Sequence, residues 1–138
     1  MAYAEKTRVP EQQSRSEIER LLQKYKATAV AVYTSVDSIA IAFEMKDRRV
    51  MFRLAMPKGD DNRSAQGRRQ RWRSLLLAIK AKLSSVEDGI ESFEDAFLAH
   101  IVMPDGSTVA DHVRPRIASA YKEGRMQPLL PPPTNRKG

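Results

Sequence analysis

Between Thr28 and Ala55 the apolar residues recur at every second position, and that spacing constrains the fold more than any other feature of the chain. Thr28, Val30 and Val32 alternate with Ala29, Ala31 and Tyr33. Ile39, Ile41, Phe43 and Met45 alternate with Ala40, Ala42 and Glu44, and Val50, Phe52 and Leu54 with Met51, Arg53 and Ala55. Successive side chains of a strand point to opposite faces, so a period of two gathers one apolar set on one side. Val36-Asp37-Ser38 reads as a turn, and Lys46-Asp47-Arg48-Arg49 as a polar break. Three short runs joined tightly predict an antiparallel meander with one greasy face to be covered and one wetted face of small and polar residues.

Elsewhere the period lengthens to that of a helix. Ser16 and Glu19 form a capping-box pattern ahead of Ile18, Leu21, Leu22 and Tyr25. This predicts a helix near 15–25 behind a polar leader, with Ser14 and Glu17 as an alternative start. A loop of Pro, Gly, Asp, Asn and Ser fills 57–67. Trp72, Leu75, Leu76, Ile79 and Leu83 then predict a helix near 64–84, interrupted at Ser84 or Ser85. Phe93, Phe97, Leu98 and Ile101 predict another near 92–102, capped by Ser92. Thr108 with Asp111 starts a last helix, expected to bury Val109, Val113, Ile117, Ala120 and Tyr121 and to stop at Gly124. Pro115 within it predicts a kink or two abutting helices. Strands segregated from helices give an α+β class: a three-stranded antiparallel meander packed against three to four helices, with an N-terminal helix before the strands. We read one domain over 1–130 and a flexible Pro-rich tail over 131–138.

Composition narrows the chemistry. The chain has no cysteine, which excludes a thiol nucleophile, a disulfide scaffold and a cysteine zinc site and is compatible with a reducing cytoplasm. No stretch approaches the roughly 20 apolar residues of a membrane-spanning helix, and the first residues lack the apolar core of a secretory signal. The formal charge is +7, which favours an anionic partner, and it is unevenly placed. Arg63, Arg68, Arg69, Arg71, Arg73, Lys80 and Lys82 occupy 62–82 without an acid. Glu87, Asp88, Glu91, Glu94 and Asp95 occupy 83–99 without a base. Either the blocks pair with each other, within the fold or across a dimer, or the basic block faces a nucleic acid.

On a helix, Arg69 and Arg73 share a face with Lys80 roughly in line, while Arg68 and Arg71 flank the other side. Guanidinium groups fork to two phosphate oxygens, so this block is the leading nucleic-acid candidate. Trp72 lies in the apolar stripe, where core packing outweighs stacking on a base. Arg49 and Arg53 form a second basic cluster with Lys46, Asp47 and Arg48 around the second turn and third strand, and Arg53 lies on the open sheet face. The competing reading there is a charged edge that prevents sheet-to-sheet pairing. Glu44-Met45-Lys46 has the Glu-x-Lys pattern of metal-dependent nucleases but lacks a clear second carboxylate, so catalysis is not favoured. His100 sits near a helix C-terminus, which favours imidazolium, and a metal site would need it to converge with His112 and Asp111. There is no Ser/His/Asp order, phosphate-cradling loop or dinucleotide fingerprint. We expect no enzyme, cofactor or metal.

Several strings together carry a resemblance. Arg69-Gln-Arg-Trp-Arg73, Ile79-Lys-Ala-Lys-Leu83, Val86-Glu-Asp-Gly-Ile90, Phe93-Glu-Asp-Ala-Phe-Leu98 and His100-Ile-Val-Met-Pro-Asp-Gly106 resemble a group of small uncharacterised phage and prophage proteins, as do Thr108-Val109 and the Gly124–Pro131 segment. The resemblance implies a bacterial cytoplasmic setting near phage recombination and replication genes and assigns no chemistry. The leading expectation is therefore a non-enzymatic accessory protein that binds nucleic acid, DNA with low sequence specificity, largely through phosphates. The alternative is a protein-interaction module, an inhibitor or cofactor of a host defence or phage recombination protein, or a homodimer.

Overall fold

A computed structural model describes residues 2–132, with side chains from Pro10 onward. The order is α1 (Ala2–Lys24), β1 (Ala29–Thr34), β2 (Ser38–Met45), β3 (Arg48–Ala55), α2 (Asn62–Glu87), α3 (Phe93–Phe97), a 3-10 turn (Leu98–His100) and α4 (Val109–Glu123). The strands form one antiparallel sheet in the order β1-β2-β3, so the α+β meander expected from the sequence is present. β2 and β3 are joined by the two residues Lys46 and Asp47, with φ of 51° and 60°. Both central residues left-handed is the geometry whose twist matches that of the flanking strands. The polar break is thus two residues long, and Arg48 and Arg49 are already paired with Met45 and Glu44 in the ladder.

The period-two pattern resolves as written. Ile39, Ile41, Phe43 and Met45 of β2 and Val50 and Phe52 of β3 are buried on one face. Helices α1, α2 and α3 supply the other half of the core with Ile18, Leu22, Trp72, Leu76, Ile79, Leu83, Phe93 and Phe97. Phe97 is fully buried and meets Phe43 edge-on at 5.7 Å, Phe52 edge-on at 6.3 Å and Phe93 at 4.9 Å. The opposite sheet face, with Ala29, Ala31, Ala40 and Ala42, stays half-exposed or open. β1 forms an outer edge: among the described residues no strand pairs with its far side.

Several boundaries differ from expectation. α1 begins at Ala2 and runs through Pro10, so most of the supposed leader is helical and the Ser16–Glu19 pattern lies mid-helix. Residues 2–13 lack apolar periodicity but are rich in Ala, Glu, Gln, Lys and Arg, which favour helix intrinsically. α2 starts earlier and ends later than its stripe implied. Asp61 caps it, accepting from the Ser64 backbone N–H at 3.2 Å and the Ser64 hydroxyl at 2.7 Å. The predicted 92–102 helix ends at Phe97. The chain then tightens into the 3-10 turn, and Ile101 bridges to Val50 at the sheet edge.

The last helix departs furthest. The Thr108–Asp111 capping box and the left-handed Gly124 cap, φ 70°, form as expected. Pro115 neither breaks nor divides α4, which is one helix from Val109 to Glu123. None of its residues is buried: Ile117 is 44% exposed and Tyr121 88%. Val109, Val113 and Ala120 of the stripe are half-buried, and Ile117 and Tyr121 are left open. The tail expectation concerns 131–138, of which 133–138 lie outside the described residues.

Phe97 packs against Phe43 of β2, Phe52 of β3 and Phe93 of its own helix, so Phe97→Ala should cost about 3–5 kcal/mol of stability, and Phe97→Leu less than half of that. Urea denaturation checks this; equal losses would show that the ring contacts, rather than buried apolar volume, carry the contribution of Phe97.

Candidate nucleic-acid interface

The apolar stripe of α2 fixes its rotation. With Trp72, Leu75, Leu76, Ile79 and Leu83 turned inward, Arg69, Arg73 and Lys80 must project outward. At 100° per residue these three lie within about 40° of one another, and at 1.5 Å per residue they span about 17 Å. They are exposed, and among the described residues none of the three has a hydrogen-bond or ion-pair partner, nor does Arg63 at the start of the helix.

The other bases of the block are internal fasteners. Arg68 pairs through Nε with Glu11 at 3.2 Å and donates through Nη1 to the carbonyls of Pro57 at 3.0 Å and Gly59 at 2.8 Å. It thereby ties α1 to the loop before α2. Gly59 holds φ of 112°, open to glycine alone at little cost, and a Cβ on Gly67 would come within 3.0 Å of Pro57 Cγ. Arg71 Nε donates to the Ala55 carbonyl at 2.6 Å. Lys82 donates to the Ala96 carbonyl at 2.8 Å, with its ammonium 5.9 Å from the Phe97 ring.

The acidic block does not clasp the outward arginines. Glu94 pairs with Arg48 at 3.2 Å, Glu91 accepts from Ser85 at 2.9 Å, and Glu87 accepts from the Tyr25 hydroxyl, which pushes that phenol's pKa up. The second basic cluster is taken up by the fold. Arg49 pairs with Glu44 across the hairpin at 3.2 Å. Arg53 Nη2 reaches both Asp111 carboxylate oxygens, at 2.7 and 2.6 Å, and so moors the start of α4 to the sheet. Asp111, held first by the Thr108 backbone N–H and then by Arg53, has its pKa lowered to about 2.

What the sequence did not reveal is the other wall of the site. α1 and α2 lie side by side, and a groove of about 320 Å³ between them is lined by Arg20 and Lys24 of α1 and by Arg73, Lys80, Leu76 and Leu77 of α2. Glu17 is the single carboxylate in that lining. Arg20 and Lys24 are four apart on one helix face, but nothing along the chain announces which helix stands beside them. Four cations against one acid make a strip suited to an extended polyanion.

The remaining candidates resolve differently. Trp72 is buried and unavailable for stacking. Glu44 is engaged by Arg49, and Lys46 lies in the hairpin turn. Among the described residues no three His, Asp or Glu side chains are grouped to hold a metal ion. Asp105, Ser107 and His112 do meet: His112 Nε2 lies 2.6 Å from Ser107 Oγ and 3.1 Å from Asp105 Oδ2. Both partners share one ring nitrogen, whereas a catalytic triad needs the acid and the hydroxyl on opposite nitrogens. The cluster is a fastened turn. His100 is not favoured as imidazolium. It stacks on Phe52 at 3.9 Å, and burial, together with the nearby charges of Lys82 and Arg114, pushes its pKa down against a hydrogen bond to the Met51 backbone.

No helix of the described residues is long and apolar enough to cross a membrane. No family model, curated protein or solved structure matches the chain.

Two outcomes follow from these positions. Arg68→Ala should lower stability by about 2–3 kcal/mol, because it strands Glu11 and two carbonyls, whereas Arg69→Ala should stay within about 0.5 kcal/mol of the parent. Paired thermal melts separate them. For His100, the unfolded chain takes up its proton near the ordinary 6.5, before the folded chain does. Stability should therefore fall as pH drops below that value, and His100→Phe should flatten this part of a urea-midpoint-versus-pH curve.

Proposed function

We propose that the chain is a non-enzymatic phage or prophage accessory protein that binds nucleic acid, DNA with little sequence preference, along the α1–α2 groove. The observation that carries this reading is the exposed ridge of Arg69, Arg73 and Lys80, of which Arg73 and Lys80 share the groove with Arg20 and Lys24, with none of the three α2 bases paired to a described carboxylate. Phosphate contacts would supply affinity, while base-edge contacts, which supply specificity, have no evident set of side chains here. Arg49, Arg53, Arg68 and Arg71 drop out of the proposed contact set because internal acceptors already hold them. Arg63, the second residue of α2, remains as a flanking contact. The working compartment on this reading is a bacterial cytoplasm.

A second reading, a protein-interaction module, is favoured by a different observation: the uncovered apolar residues of α4. A nuclease-resistant partner recovered from infected cells would support it.

The groove reading is tested with a labelled random-sequence duplex at low salt. Binding is expected for the parent chain and should be lost in the Arg69→Gln/Arg73→Gln/Lys80→Gln triple variant with no shift in the melting curve. Arg73→Gln alone should reduce the slope of log affinity against log salt by about 0.9, one phosphate's worth. Undiminished binding by the triple variant sinks the proposal.

A further inference from the structure

The groove between α1 and α2 holds more than cations. Arg68 meets Glu11 toward one end of the helix pair and Tyr25 meets Glu87 toward the other, so the two helices run side by side in the same direction. At 100° per residue, Leu21 and Leu76 turn nearest the core and form the bottom of the furrow. Arg20 and Arg73 stand on its two shoulders, with Lys24 and Lys80 between shoulder and bottom. Leu77 lies about 40° beyond Arg73 on the outer shoulder of α2. It comes four residues after Arg73 and three before Lys80, so the three side chains are surface neighbours. Leu77 is 53% exposed. A lone exposed leucine is ordinary. This one is bracketed by two unpaired bases of the groove, so a polyanion bound by both also lies against it.

A duplex and a single strand differ in what they offer such a surface. The bases of a duplex are stacked on one another, and its outer surface is phosphate and sugar. A single strand exposes base faces, every one of which carries an apolar π surface. Helix axes packed side by side lie about 8–10 Å apart, so a duplex rides across the shoulders, whereas one strand enters lengthwise. No aromatic ring lines the groove, so bases meet leucine rather than a stacking platform, in keeping with little sequence preference. We propose, resting on the groove reading above, that the α1–α2 groove takes single-stranded DNA. Arg20, Lys24, Arg73 and Lys80 hold the phosphates, and base faces cover Leu77 and Leu21. Charge alone points the other way, because each phosphate contact releases about 0.9 counterions from a duplex and about 0.7 from a single strand. A preference for the single strand therefore comes from contact with bases.

Binding of the full chain to one labelled mixed-sequence strand, alone and annealed to its complement, tests this at a single low salt concentration. The single strand should bind about fivefold tighter, the worth of covering the open half of one leucine side chain. Leu77→Gln should abolish that advantage and leave both the duplex affinity and the single-strand salt slope unchanged, since it removes no phosphate contact. Leu77→Met should keep the advantage. Both variants should melt with the parent, because the side chain is half open. An abasic strand of the same length should bind the parent and Leu77→Gln alike. Equal or tighter binding of the duplex, an advantage that survives Leu77→Gln, or an abasic strand that still distinguishes the two chains would overturn the inference and leave the groove reading in place. Failure of both strand forms to bind the parent would overturn the groove reading, and the inference with it.

Discussion

The rotation of α2 about its own axis decides what this surface can do. Trp72, Leu75, Leu76, Ile79 and Leu83 are buried against the sheet and α1. Each such burial is worth about 1.5–3 kcal/mol. Turning the helix far enough to bring Arg69, Arg73 and Lys80 against internal carboxylates would expose several of them at once. An exposed ion pair returns about 0–1 kcal/mol, so the apolar stripe wins and the cations stay outside. The arginine ridge is thus a consequence of core packing as much as of surface composition.

The same seven-base block shows why net charge is a poor guide to binding residues. Arg68, Arg71 and Lys82 serve as donors to the carbonyl oxygens of Pro57, Gly59, Ala55 and Ala96. Arg53 and Arg49 are absorbed by Asp111 and Glu44. A cation engaged in this way contributes field but has spent its best donors.

How much of this was legible along the chain follows the range of the physics involved. Alternation in 28–55 specified the strands and the buried face, because side-chain direction in a strand is local. The α2 stripe specified which way Arg69, Arg73 and Lys80 point for the same reason. The caps at Asp61 and Gly124 are local too, although Asp61 was passed over because the loop composition before it hid the start. What failed was long-range. That Arg68 meets Glu11, that Arg53 meets Asp111, and that α1 stands beside α2 with Arg20 and Lys24 all depend on pairings across many residues. α4 misled for a further reason: a periodic apolar stripe states that a face wants cover, and the source of that cover lies outside the helix.

The bare edge of β1 gives the excess charge another meaning. Ala-Val-Ala-Val-Tyr-Thr is uncharged, rich in β-branched residues and free of proline, and no described strand pairs with its far side. Sheet proteins commonly blunt such an edge with a lysine or a bulge, and this strand carries neither. Mutual repulsion between molecules of charge +7 stands in for that local safeguard. Cations on α2 therefore also add to the colloidal protection of that edge.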